Sequence, residues 1–344
     1  MPFRDLVNQD HAVMLLRTAI RSARVSHAYL FVGPPGVGRF DTALAFAQLL
    51  NCERGAEGDA CGECRVCKLI ATGQHPDVRV VDLDRGLLLD PEDTTRTGIG
   101  IKQVLALRRE VVYPPYEGRW KVYIFASADK MTTEAANSLL KVLEEPPPRV
   151  VIILIAESTV PLLPTVVSRC QLVRFTLIPT PTIERALVDR FGVPKGRARF
   201  IATLAGGQLG HAVMWATSED ALQRRERMLD LIDRLERADA LERLDAAEEL
   251  AKEKDELPEL LDIALFWFRD LLVWQQTGSE EQLINLDRKD RIAELAAGLP
   301  PAVLNARIDA VAEAKDALRR NVHPRLILET LFLRLVPQTE PTRR

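Results

Sequence analysis

Residues 27–50, HAYLFVGPPGVGRFDTALAFAQLL, decide the fold. A short apolar run from Ala28 to Val32 meets a glycine-rich turn. Apolar Phe40, Ala43, Leu44, Ala47 and Leu50 then recur at helical spacing. The unit reads as strand, loop and helix. The loop, Gly33-Pro-Pro-Gly-Val-Gly38-Arg39-Phe40, keeps the frame of a phosphate-binding G-x-x-x-x-G-K-[ST] turn with its last two positions changed. Gly33, Gly36 and Gly38 let backbone N–H groups curl around a phosphate at the positive end of the helix. In a hydrolysing loop, Lys bridges the β- and γ-phosphates and a hydroxyl ligates Mg²⁺. Here Arg39 keeps the charge in a different shape, and Phe40 has no oxygen to offer. ATP or ADP is therefore expected to bind weakly or not at all at Gly33, Gly36, Gly38 and Arg39, and metal-assisted hydrolysis is not expected.

Outward from this unit, strand and helix patterns alternate. Val78 to Leu83 reads as a strand, Ile101 to about Val112 as a helix, and Lys121 to Ala126 as another strand. Thr132 or Thr133 can cap the helix AANSLLKVLEE, which stops near Glu145 because Pro146, Pro147 and Pro148 cannot continue it. Val150 to Ala156, apolar throughout, reads as a central strand covered on both faces. The class is α/β, a parallel helix-flanked sheet over residues 1–175. A hydrolase would place a magnesium-holding carboxylate and a water-positioning neighbour after the strand KVYIF; this chain offers Ala126 and Ser127, with Asp129 further along. That is a second loss of hydrolytic chemistry, independent of the first.

Four of the five cysteines fall together in NCERGAEGDACGECRVCK, residues 51–68. Two C-x-x-C steps share Cys64 and bring Cys61, Cys64 and Cys67 onto one knuckle, while Cys52 closes a tetrahedron across a Gly-rich loop. Four soft sulfur ligands suit Zn²⁺. A ferredoxin-type iron–sulfur pattern instead carries its fourth Cys just downstream and before Pro, and a reducing cytosol disfavours disulfides. With no open position the zinc module, residues 52–67, reads as structural. Cys170 stands apart as a small hydrophobe expected to be buried.

After Phe175 the composition shifts. TLIPTPT, residues 176–182, reads as a linker; amphipathic stretches at 183–191 and 198–204 and the break AGGQLGH make a small helical unit, 176–217. Residues 218–337 are charged and leucine-rich with helical spacing, and 338–344 form a tail. The stripe Leu260, Ile263, Ala264, Trp267, Leu271 and Trp274 is either core between helices or a partner-binding surface. Net charge is −3, from 46 Lys plus Arg against 49 Asp plus Glu, so nucleic-acid binding cannot be read from bulk charge. The longest apolar run is too short to span a bilayer and the start MPFRDLVNQDH has no signal-peptide core, so a cytoplasmic, non-membrane protein is expected.

DLVNQDHAVMLLRTAIRSARVSHAYLFVGPPGVGR, the four-cysteine module, AANSLLKVLEEPPP and LLPTVVSRC together resemble the bacterial DNA polymerase III clamp-loader subunits of the AAA+ class, over about half of the chain. The resemblance implies an AAA+ domain with a zinc-binding insertion, a small helical lid at 176–217 and an all-α collar domain for oligomerisation at 218–337. The gamma or tau ATPase subunits of that family keep the Lys-Thr and Asp-Glu pairs; this chain is similar to the delta-prime branch, which commonly loses them. Gly206-Gly207-Gln208-Leu209-Gly210-His211 likewise lacks the nucleotide-sensing Arg expected of an ATPase subunit. The implied role is non-hydrolysing: a rigid end subunit beside gamma/tau and delta partners, in a complex that uses ATP to place a sliding clamp on primer–template DNA. Arg169 of Ser168-Arg169-Cys170 matches the family's arginine finger, acting in trans on a neighbour's ATP site. Read without the resemblance, Arg169 is an ordinary surface residue at a strand start.

Two further readings compete. An active gamma-type ATPase with unusual ligands would need a carboxylate near the metal, and Asp129 is the only nearby candidate. A zinc-dependent nucleic-acid-binding module with a vestigial nucleotide fold would rest on Cys52 to Cys67. Glu144 and Glu145 are adjacent on a helix, so they diverge by about 100° and read as structural or interfacial rather than as a catalytic pair. His11, His27, His75, His211 and His323 share no metal or triad spacing.

Overall fold

The computed structural model describes residues 2–55, 58–82, 89, 98–254, 256–320 and 322–335. β1 (Ala28–Val32), β2 (Val78–Val81), β3 (Lys121–Phe125), β4 (Val150–Ala156) and β5 (Gln171–Arg174) pair in one parallel sheet, in the order β2-β3-β4-β1-β5. The expected central strand is the middle one: β4 is buried along its whole length and pairs in register with β1 (Ala28 opposite Ile152) and β3 (Lys121 opposite Val150). Such a strand needs helices on both faces. On one face Tyr29, Phe31, Ile124 and Ile153 pack with α1 (Asp10–Arg21), α2 (Arg39–Asn51) and α3 (Arg65–Ala71). On the other, Leu30, Tyr123, Ile152 and Leu154 pack with α4 (Ile101–Glu110) and α5 (Thr133–Glu144). The period-two alternation along β1 sends Tyr29 and Phe31 to one core and Leu30 to the other.

Burial on both faces forces polar residues of α2 inward, and each is satisfied. Thr42 donates to the Gly38 carbonyl at 2.7 Å, Gln48 Nε2 to the Cys67 carbonyl at 2.7 Å, and Asn51 Oδ1 accepts from the Arg119 and Trp120 amides at 2.8 and 2.9 Å. The Thr132 side chain caps α5 by accepting from Ala135, and the helix ends at Glu144, before the three prolines. α6 (Pro164–Val167) leads into β5.

Two expected irregular stretches turn helical early. α7 (Thr180–Phe191) begins inside the Pro-rich segment, because a proline in a first turn removes an N–H that has no partner there anyway. After α8 (Lys195–Leu204), the break 205–211 gives way to α9 (Leu209–Thr217) at Leu209. The sequence strand Val78 to Leu83 is seen to Val81, with Asp82 in a bridge; Leu83 lies outside the described residues. Cys170, expected to be buried, is half-buried against the α4–α5 side of the sheet, and burial pushes its thiol up to about 12.

The chain divides into two compact units, 1–182 with 207–210, and 183–206 with 211–344. The second is helical among its described residues: α7, α8, α10 (Glu219–Leu235), α11 (Ala240–Leu250), α12 (Leu257–Thr277), α13 (Lys289–Gly298), α14 (Pro301–Arg319) and α15 (Pro324–Leu335). α12 packs on α10, α13 and α14. Leu260, Ile263, Ala264, Trp267 and Leu271 are buried there, and half-buried Trp274 has the Lys289 ammonium 5.9 Å from its ring centroid, so the apolar stripe is core. Fully buried Asp270 accepts from the Ile284 and Asn285 amides at 3.0 and 2.7 Å and from Asn285 Nδ2 at 2.9 Å, pinning the segment after α12. Among the described residues no helix is long and apolar enough to cross a membrane.

Candidate functional site

The loop between β1 and α2 keeps its glycine-dependent shape. Gly36 and Gly38 have φ of 68° and 94°, a left-handed conformation that selects glycine, and Gly38 is the N-cap of α2. At Gly33 the reason is close approach: a Cβ there would collide with the carbonyl of Phe175. The loop is fastened from elsewhere in the first unit. Gly36 O accepts from the Gly210 amide at 2.8 Å, and the buried Gln9 amide donates to the Val37 and Thr176 carbonyls at 3.1 and 3.2 Å. Beside it lies a cavity of about 430 Å³, lined by Gly36, Gly38, Arg39, Ala126, Ser127 and Gly210 among others.

The chemistry of this cavity departs from that of a phosphate site. Arg39 Nη1 donates to the Ala156 carbonyl at the end of β4, so the cation at the lysine position is engaged with the protein. Burial lowers the Arg39 pKa, against the opposing pull of the Glu157 and Asp129 carboxylates. Phe40 is half-buried and packs on the adjoining core. Asp129 lines the cavity, but it is not the only carboxylate there: Asp41, Asp82 and Glu157 line it too, against the two cations Arg39 and Lys130. A triphosphate placed here would meet more negative than positive side chains. Asp82 and Glu157 are not legible as neighbours in the sequence because they come together only when β2 and β4 lie in one sheet; the usable signal is their position just after the strands, on the carboxyl edge where parallel sheets bind ligands.

The four cysteines converge as expected. Cys52 follows α2, Cys64 is the N-cap of α3 and Cys67 lies in its first turn; all four sulfurs fall within 4.8 Å of one another. Cys52 and Cys64 sulfurs are 4.0 Å apart, and those of Cys61 and Cys67 are 3.9 Å apart. Tetrahedral bonds of about 2.3 Å to zinc would separate sulfurs by about 3.8 Å. Backbone amides already point at the sulfurs, from Cys61 to Cys52 and from Cys64 to Cys61 at 3.3 Å each, and from Cys67 to Cys64 at 3.4 Å. The Cys61 thiol is held down at about 6, first by the Glu63 amide, whereas burial raises Cys52 and Cys67. The four sulfurs would hold a zinc ion, which would stabilise all four as thiolates. The knuckle also ties the chain start: Asp59 accepts from the Phe3 and Arg4 amides at 2.8 and 3.0 Å, and Arg4 donates to the Ala60 and Cys61 carbonyls at 3.0 and 2.9 Å.

Arg169 lies far from this knuckle in sequence, between α6 and β5, with its side chain 35% exposed. Its Nη1 donates to the Thr165 carbonyl at 3.0 Å and its Nη2 lies 2.7 Å from Glu144 Oε1. Ser168 Oγ also donates to the Thr165 carbonyl, at 3.1 Å, and Cys170 packs against the core, so the flanking residues fasten the turn. Glu145 takes no part in that ion pair.

The comparisons bear on both units. A family model described as "DNA polymerase III, delta subunit" matches residues 8–179, and one described as "DNA polymerase III, delta subunit, C terminal" matches 219–336. The chain is 34% identical to DNA polymerase III subunit delta' of Bacillus subtilis, over 95% of this chain and 96% of that protein. It is 32% identical to the delta' subunit of Pseudomonas aeruginosa, over 90% of this chain and 92% of that one. Identity to the tau subunit of Bacillus subtilis is 27%, over 97% of this chain but 61% of tau.

Proposed function

This chain belongs to the DNA polymerase III delta' family, and from that premise we propose that it is a non-hydrolysing clamp-loader subunit. It assembles with gamma/tau-type and delta-type subunits, and in that complex helps place a sliding clamp on primer–template DNA in the cytoplasm. The observation that carries the non-hydrolysing part is Arg39, whose guanidinium is bonded to the Ala156 carbonyl beside a loop with Phe40 in the hydroxyl position and Ala126 and Ser127 after β3. A cradle of this shape without its lysine, hydroxyl and paired carboxylates positions the polypeptide, and does not split ATP.

Zinc in the Cys52, Cys61, Cys64 and Cys67 set holds the knuckle on the first unit; with four protein ligands it leaves no open position for catalysis. Arg169 supplies the active chemistry in trans. A guanidinium delivered to a neighbour's ATP site stabilises charge on the transferring phosphoryl group, an effect worth about 10³ to 10⁵ in rate in other systems.

A second reading, hydrolysis through unusual ligands, draws on the carboxylates Asp41, Asp82, Asp129 and Glu157 around the cavity. One experiment separates the two. The isolated chain is mixed with MgATP, and clamp loading onto primed DNA is then measured with gamma/tau-type and delta-type subunits, with and without this chain. The proposal expects no phosphate release from the chain alone and loading only when it is present. Steady turnover by the isolated chain would favour the second reading.

A further inference from the structure

Arg169 and Glu144 form an ion pair at the surface, with side chains 35% and 48% exposed. Glu144 is the last residue of α5, where a carboxylate faces the negative end of the helix dipole and is the wrong sign for it. The helix dipole therefore does not explain Glu144, and at 48% exposure its side chain is not core. What the carboxylate does touch is the guanidinium of Arg169, at 2.7 Å. The partner group is fixed from below: Arg169 Nη1 donates to Thr165 at 3.0 Å, α6 packs on α5, and three prolines after Glu145 stop the helix at this point.

We propose that Glu144 is a positioning residue for Arg169, holding the guanidinium in one orientation for delivery to a neighbouring subunit. The inference rests on the trans role of Arg169 set out above. A free arginine has several rotatable bonds and must lose their entropy to reach a phosphate, whereas one held at two points has lost part of it in advance. Two contacts occupy two of the five N–H donors, one on Nη1 and one on Nη2, which leaves three for phosphate oxygens. The same carboxylate balances the cation while the subunit is unassembled.

The test is the ATPase of the reconstituted complex carrying Glu144→Gln, Arg169→Ala or both, with assembly checked by gel filtration. Glu144→Gln keeps the shape and removes the charge. The expected result is normal assembly, a kcat lower by up to about fivefold, the ceiling for a half-exposed ion pair, and an unchanged KM for ATP. In the Arg169→Ala background Glu144→Gln adds nothing, since the group it positions is gone. Wild-type kcat in Glu144→Gln, an increase in kcat, failed assembly, or an equal loss in the Arg169→Ala background would each overturn the inference. Unchanged turnover in Arg169→Ala alone is a different failure, because it removes the finger itself.

Discussion

Arg39 donates from its guanidinium to the carbonyl of Ala156, the last residue of β4, so the charge that the loop retains is committed to the sheet. Restoring the loop alone is not expected to restore hydrolysis. Arg39→Lys combined with Phe40→Thr supplies the lysine and the hydroxyl, while Ala126 and Ser127 still provide no carboxylate after β3. Phosphate release from the isolated double variant with MgATP is expected to stay at background. Turnover well above background would show that Asp82, Asp129 or Glu157 serves as the missing acid.

The cysteine cluster predicts a metal content and a stability. Metal analysis of the purified chain should give one zinc per polypeptide, and Cys64→Ser should lose it. Because the same knuckle anchors the chain start through Asp59 and Arg4, losing the metal should lower unfolding free energy by about 4 kcal/mol or more. Denaturant unfolding of the two proteins checks this; equal midpoints would mean that the sulfurs hold nothing.

A third prediction concerns acid. Burial acts to raise the Asp77 carboxyl, but the Tyr116, Gly118 and Glu117 amides, donating at 2.7, 2.8 and 2.9 Å, outweigh it and hold its pKa below the ordinary value. A depressed carboxyl contributes stability that is fully present above its unfolded pKa, about 3.9, and is lost as pH falls through the folded value. His75 Nδ1 accepts from the Asp77 amide at 3.2 Å, and burial lowers its pKa; its contribution starts to fall earlier, below about pH 6.5. Asp77→Asn should destabilise the chain by about 2 kcal/mol at pH 7, and the difference from wild type should shrink below about pH 4. Urea unfolding across that range measures it, and a gap that stays constant down to pH 2 would contradict the assignment.

Much of this molecule was legible before its structure. The apolar run Val150–Ala156 read as a central strand, because seven apolar positions in succession between polar residues suit a strand covered on both faces, and β4 is buried along its length. The sulfur cluster was legible because its ligands are near in sequence. What stayed hidden depends on distance along the chain: Glu144 and Arg169 are separated by three prolines, β4 and α6, and the packing of α6 on α5 brings them to 2.7 Å. The carboxylates around the loop were hidden for the same reason, as Asp82 and Glu157 end different strands. The early starts of α7 and α9 were masked by Pro181 and Gly210, residues that the first turn of a helix tolerates and its interior does not.

The proposed role is a cation lent by Arg169 to chemistry on another subunit, and the direct measurement is DNA-stimulated ATPase of the reconstituted clamp loader with Arg169→Ala. Arg169 is about one-third exposed and its bonds to Thr165 and Glu144 lie at the surface, so the variant should fold and assemble as wild type does. The prediction is an intact complex with kcat lower by about 10³ or more. An intact complex that turns over ATP at the wild-type rate would contradict it.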